Sequence, residues 1–328
     1  MDIESKIAMI DNSSSVNETI LVQGLSSLEY YYEEKIKDTP IQVLKDINFK
    51  LKRQEVCCVL SEKTYEIKLL LDIVSGTRPY QGGQCVINNQ DIREKNQTII
   101  DDVFYLASTR MLYENMTVLE YLTLLTSNKS ERHTLLQLEN LDFICELGLG
   151  YISLTYIIYL TPAEKTLVLL LAALYSKSNI IIMNLPRIKY NNKEIVVFER
   201  IVREIKKANA SLVLGTNDYT LVNQVGDQIL FLNDGKVNHF CSKKSFVSYD
   251  KLEYLIIFKD KPKIDISKIL VNIKVKQIHN KLYIYEPIVL HKIIDILEEY
   301  DLKIIKISKN RPNVSNALHS ILKGEDYV

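Results

Sequence analysis

The sequence predicts an α/β fold: a mixed-sheet core with a mostly helical insertion, followed by a small α+β domain. Strand-like and helix-like segments alternate from residue 43 to residue 232, the pattern of a sheet with parallel strands. Several strands, such as residues 55–60 and 179–183, are unbroken apolar runs after their first residue, as strands buried on both faces must be. After residue 249 the texture changes to short alternating strands and two amphipathic helices. The chain has 328 residues, enough for two domains with their own cores.

The elements follow in order. Residues 1–18 are acidic and rich in Ser and Asn, and read as disordered. Residues 19–25 form a first strand. Residues 29–38 are charged, with three consecutive tyrosines, and read as a loop. Strands are expected at 43–50 and 55–60, a helix at 67–74, a strand at 84–87 and a turn at 88–91. A strand at 102–106 precedes the helical insertion, about residues 108–178, with helices at 117–126, 135–147 and 162–176. Then come a strand (179–183), an amphipathic helix (193–207) and strands at 211–214 and 228–232. The first domain is thus 19–248, and residues 249–328 form the second. That domain has strands at 251–258, 273–279, 281–286 and 303–307, with helices at 287–300 and 312–323. His279-Asn280 marks a hairpin turn.

Bulk properties exclude several functions. Lys plus Arg equals Asp plus Glu at 41 each, so nothing asks for nucleic acid or an anionic membrane. Five cysteines and five histidines show no metal-ligand spacing. No signal peptide is evident, and the most apolar stretch, 151–175, is interrupted by Pro162, Glu164 and Lys165, too short on either side to span a bilayer. A reducing cytoplasmic setting is expected.

The segment 43–83 has the rhythm of a phosphate-binding unit: paired strands, a tight loop, a helix, then Ser75-Gly76, Pro79 and Gly82-Gly83. A working loop would read G-x-x-x-x-G-K-[ST], so that bare amides and one lysine surround the phosphates. Here it reads Ser61, Glu62, Lys63, Thr64, Tyr65, Glu66, Ile67, Lys68. No glycine lies between Gly24 and Gly76. Glu62 and Glu66 would repel a polyphosphate by a few kcal/mol each (order of magnitude, near-surface dielectric).

From about residue 19 to 247 the order of elements resembles the nucleotide-binding subunit of an ATP-binding-cassette transporter. The trailing domain is similar to the C-terminal extension on subunits of drug, peptide and ion exporters, down to its ending ISKNRPNVSNALHSILKG. What the resemblance implies can be stated position by position. Glu66 stands at the second loop glycine, Ile67 at the lysine and Lys68 at the Mg²⁺-binding hydroxyl; a one-residue slip would put Lys68 at the lysine. Ser108 stands where the metal-sensing glutamine belongs. The LSGGQ signature reads Leu160, Thr161, Pro162, Ala163, Glu164, which has the form of a capping box with Pro at the first helical position. Asn184 replaces the aspartate that orients Mg²⁺. Leu185 replaces the general-base glutamate and cannot accept a proton. Asn191 replaces the aspartate of the loop that follows, and Asn217 the switch histidine. Asp218, Asp227 and Asp234-Gly235 are kept, as helix start, helix end and hairpin turn. Tyr30, Tyr31 or Tyr32 lies near the place of an adenine-stacking aromatic.

The resemblance therefore implies a scaffold without its chemistry: no catalytic residue, no metal site, and no cofactor unless residual ATP and Mg²⁺ binding survives. Three functions stay open. The chain is a non-catalytic structural or regulatory subunit of an exporter, at the inner membrane face, bound to a permease through its helical insertion and to a second cassette as homodimer or heterodimer. Or it is a weak ATPase in an asymmetric pair. Or it is a soluble interaction module.

Overall fold

The computed structural model describes residues 18–32, 35–94, 102–126, 133–270, 273–285, 290–300 and 302–322. The expected disorder of residues 1–18 falls, but for Glu18, outside this range. The chain divides into two compact units at the Ser242–Lys243 junction. The strands and helices of the first unit alternate as expected.

In the first unit, β1 (Glu18–Tyr32) and β2 (Lys35–Lys52) form a long antiparallel hairpin. Strand β4 (Gly82–Ile87) joins β1 on its other side, and β5 (Gln90–Asp91) pairs with β4. The reading of residues 29–38 as a loop is corrected: Glu29 pairs with Ile41 and Tyr31 with Ile36, so the hairpin extends through the tyrosines. Aromatic residues favour a pleated ladder, and that preference outweighs the local charge. Glu29 is buried, accepts from the Ser27 hydroxyl at 3.0 Å and pairs with Arg78.

The second sheet of this unit has six strands in the order β10-β9-β3-β8-β7-β6. Its parallel members are β3 (Val56–Ser61), β6 (Val103–Leu106), β7 (Ile180–Asn184), β8 (Ser211–Gly215) and β9 (Gln228–Asn233). Strands β3, β7 and β8 are buried at every position, which accounts for their apolar sequence up to a polar residue at one end. Strand β10 (Lys236–Ser242), not anticipated, runs antiparallel to β9 through the Asp234-Gly235 turn. Both turn residues have positive φ, 49° and 74°, as a tight two-residue hairpin requires.

Helix α1 (Thr64–Val74) follows β3 directly and buries Ile67, Leu70, Leu71 and Val74. The insertion carries α2 (Val118–Thr126), α3 (His133–Leu147) and α4 (Pro162–Tyr175). Then come α5 (Asn192–Lys207) and α6 (Tyr219–Val225). Asp218 caps α6, accepting from the amides of Thr220 at 3.1 Å and Leu221 at 3.2 Å. Asp227 accepts from Val56 N at 2.8 Å and from Lys206 Nζ at 2.5 Å, tying the loop after α6 to the start of β3.

The second unit opens with α7 (Lys243–Val247) and has a four-stranded antiparallel sheet, β12-β13-β11-β14. These strands are β11 (Tyr254–Phe258), β12 (Val275–Ile278), β13 (Lys281–Ile284) and β14 (Ile304–Lys309). Helices α8 (Ile266–Ile269), α9 (Leu290–Glu299) and α10 (Val314–Leu322) complete it. His279, at φ 53°, makes the expected β12–β13 turn.

Candidate functional site at the carboxyl edge of the sheet

In a sheet of this kind ligands bind beyond the carboxyl ends of the strands. Here that edge brings together the ends of β3 (Ser61), β7 (Asn184) and β8 (Gly215), because β3 pairs with β8 and β8 with β7. The loop residues Glu62 to Lys68 and the segments beginning at Leu185 and Asn217 leave from the same edge.

The turn from β3 into α1 is filled by its own side chain. Glu66 is 1 % exposed. Its Oε2 accepts from the Ser61 hydroxyl at 2.8 Å, and the Gly235 amide donates to the same carboxylate. Ser61 Oγ in turn accepts from Lys63 N at 3.0 Å. Burial pushes the Glu66 carboxyl above its ordinary value, against the Ser61 hydroxyl, the Lys63 charge and the Gly235 amide, which pull it down. Lys63 Nζ reaches Asp234 Oδ1 at 2.9 Å. Glu62 is exposed.

Ile67 belongs to the core. A Cβ on Gly215 would lie 2.6 Å from Ile67 Cγ2 and from Leu71 Cδ1, so glycine at the end of β8 is what lets α1 pack this closely. Lys68 is exposed, and its carbonyl accepts from Asn184 Nδ2 at 3.1 Å.

Asn184 is 1 % exposed and turned inward. Its two N–H groups face three acceptors, since Asp72 Oδ1 at 2.8 Å and the Tyr105 hydroxyl at 2.6 Å also lie within reach of the nitrogen, while Tyr105 donates to Asp72. Burial and the Asp72 carboxylate push the Tyr105 hydroxyl well above its ordinary value. Sequence reasoning missed Asp72 and Tyr105; the available signal was a single carboxylate inside the apolar run of α1. Leu185 is half-buried. Among the described residues, Asn184 Oδ1 and Asn217 Oδ1 are buried without a hydrogen-bond partner. Lys189 Nζ donates to the Asn217 carbonyl and lies 5.9 Å over the Tyr219 ring.

The signature-like segment is brought to a different place, the start of α4. Thr161 Oγ1 accepts from Glu164 N at 3.2 Å, and Glu164 Oε2 accepts from Thr161 N at 2.9 Å: the capping box that the sequence predicts, with Pro162 at the first turn. Burial and the Glu164 carboxylate push the neighbouring Tyr151 hydroxyl up to about 12. Asn191 caps α5 in the same reciprocal way with Glu194. Ser108 Oγ accepts from Arg110 N at 3.2 Å in a short turn after β6. The backbone of Tyr30 lies in β1; its side chain, with those of Tyr31 and Tyr32, is outside the described residues.

A magnesium–nucleotide does not fit these residues. No residue from Ser61 to Lys68 has positive φ, so the loop lacks the alternating backbone that converges amides on an anion. Its interior is taken by the Glu66 carboxyl. The two unpaired amide oxygens are acceptors, as phosphate oxygens are. The carboxylate beside Asn184, that of Asp72, is engaged by Tyr105 and Asn184.

No family model matches the chain. A cytochrome c biogenesis ATP-binding export protein, CcmA, of Reclinomonas americana is 25% identical over 197 residues, 58% of this chain and 84% of that protein. The ABC transporter ATP-binding protein PEB1C of Campylobacter jejuni is 24% identical over 224 residues, 67% of this chain and 92% of its own length. Among solved structures, an ATP-binding subunit of an ABC transporter superposes with a TM-score of 0.55 at 19% identity, covering 70% of this chain and 92% of that one. A dimeric ATP-binding cassette in a post-hydrolysis state, bound to ADP and Pi, gives 0.56 at 16% identity, covering 68% and 98%. The relatives that the chain resembles and the structures that share its fold are ATP-binding subunits of ABC transporters.

Proposed function

We propose that this chain is a non-hydrolytic subunit of an ABC exporter, working by binding partners: a permease, and a second cassette as homodimer or heterodimer. It acts at the cytoplasmic face of the membrane. Two relatives' names bear on this: CcmA is an export protein, and a matched cassette is dimeric. No described helix is long and apolar enough to cross a membrane, so attachment there rests on a partner.

The observation that carries the reading is an apolar patch on the helical insertion. Tyr113, Tyr151, Leu154, Tyr156, Ile158 and Tyr159 are all exposed, Leu154 at 72% and Tyr159 at 78%. Two segments present them, joined by the Thr117–Tyr156 bridge and by Ile158 N donating to Glu114 O at 3.1 Å. A run of exposed aromatics on a rigid support is the mark of a protein-binding surface. The misfit of magnesium–nucleotide to the sheet edge supports the non-hydrolytic part.

Tagged full-length chain expressed in its own host tests this. Recovery with an integral membrane protein is expected, with loss of that recovery in the doubly substituted Leu154→Lys, Tyr159→Lys chain. Recovery only as a free monomer overturns the proposal.

A further inference from the structure

The misfit at the sheet edge has a positive side. Glu66 does more than displace a ligand; it joins two parts of the first unit that are far apart in sequence. Its carboxyl takes the Ser61 hydroxyl from the end of β3 and the Gly235 amide from the β9–β10 turn. Gly235 is held from the other side as well, since its carbonyl accepts from Lys45 N of β2 at 2.7 Å. A Cβ there would lie 1.7 Å from Val43 O, so the turn is pressed against β2 with no slack. Lys63 and Asp234 make a second link between the same loop and turn, at 2.9 Å, exposed where Glu66 is buried. The chain of contacts runs β3, loop, Glu66, Gly235, Lys45, β2, and crosses between the two sheets of the unit.

We infer that Glu66 is a built-in occupant of the β3–α1 turn, a side-chain clamp that closes the loop onto the β9–β10 turn and fixes it without any bound ligand. In this fold the turn after β3 is the place where an external anion would organise the backbone through its amides. Here the organising oxygens are covalently part of α1. A tethered group pays no association entropy, so it outcompetes a free oxyanion of equal contact quality. The loop is therefore held in one conformation whatever the nucleotide concentration. This inference rests on the non-hydrolytic reading but concerns a different property, the ordering of the loop.

Amide hydrogen exchange on the full-length protein tests it. Glu66→Ala removes both hydrogen bonds. Exchange at Gly235 and across residues 61–68 should then accelerate by roughly tenfold or more, with global unfolding unchanged in cooperativity. Glu66→Gln keeps the side-chain volume and one accepting oxygen, and should accelerate Gly235 by roughly threefold; it answers the question should the alanine variant not fold. Gly235 exchange unchanged in the glutamine variant, or in a folded alanine variant, overturns the clamp. The same wild-type sample with MgATP, or with inorganic phosphate, separates this inference from the function proposed above. No change in exchange at residues 61–68 is expected. Added protection there means that the loop takes phosphate, which sinks the clamp; release of phosphate from MgATP by the same sample is what would sink the non-hydrolytic reading. Unaltered Gly235 exchange in the variants sinks the clamp alone.

Discussion

At the scale of single residues, one substitution adds a buried carboxylate and another removes one. Asn184 donates to Asp72 at 2.8 Å inside a closed network with Tyr105. Asn184→Asp would set two carboxylates against each other in a buried site and remove the donor, at about 3 kcal/mol; urea unfolding measures it. Its loss of stability would show that the position is now structural. Glu66→Gln instead gives a pH signature. Burial raises the folded-state value of Glu66 above 4.5, so the unfolded chain gives up this proton more readily. The stability that a raised acid contributes is present below its unfolded value and is lost as pH rises through its folded value. Lys63 and Asp234 are the charges around it, and their ion pair persists through that range. The stability of wild type relative to Glu66→Gln should therefore fall as pH rises above 4.5, measured by parallel denaturation curves.

At the scale of elements, the turns and caps decide. Gly235→Ala brings its Cβ to 1.7 Å from Val43 O at a φ of +74°, so the β9–β10 turn must shift away from β2. A loss of about 3 kcal/mol in thermal or chemical unfolding is expected. Thr161→Ala removes the acceptor of the α4 capping box and should cost about 1 kcal/mol, with no larger effect, because that helix start is closed by its own groups. In the second unit, Asp250 accepts from Leu252 N at 3.1 Å, from Asn310 Nδ2 at 2.9 Å and from Asn313 N at 3.1 Å. It binds the segment before β11 to the loop between β14 and α10. Asp250→Ala removes the acceptor of all three and leaves the Leu252 and Asn313 amides without it, while Asn310 Nδ2 keeps the Leu252 carbonyl at 2.9 Å; about 3 kcal/mol of the stability of that unit should go with it.

At the scale of the whole molecule, the apolar patch is the expectation that separates binding from folding. Leu154→Lys with Tyr159→Lys alters side chains that are mostly in water, so the unfolding midpoint should hold within about 0.5 kcal/mol. Self-association or partner capture, measured by sedimentation and co-purification, should fall. A midpoint that drops sharply instead would place these side chains in a structural role.

Much of this protein was legible in the sequence because the signals were local. Unbroken apolar runs named the buried strands, Thr161-Pro162-Ala163-Glu164 named a capped helix start, and Asp234-Gly235 named a hairpin. Each of these depends on residues within a turn or a strand of one another. The tyrosine-rich strands failed for the same reason: their partner residues, from Ile36 to Ile41, lie across a hairpin, and local charge masked the pairing. What only the tertiary structure decided is the content of the β3–α1 turn. The sequence showed two carboxylates where a phosphate loop would have glycines, and both read as repelling an anion. Folding gave them different fates, because Glu62 faces water while Glu66 points inward to Ser61 and to Gly235, a residue 169 positions later in the chain. Likewise Asn184 is a missing charge in the sequence and an inward donor in the fold, its two N–H groups facing three acceptors, since Lys68, Asp72 and Tyr105 reach it only when α1 and β6 pack beside β7. Sequence sets which groups are present and which local elements they favour. Burial and long-range hydrogen bonding set what those groups do, because both depend on neighbours that the chain supplies only after it has closed on itself.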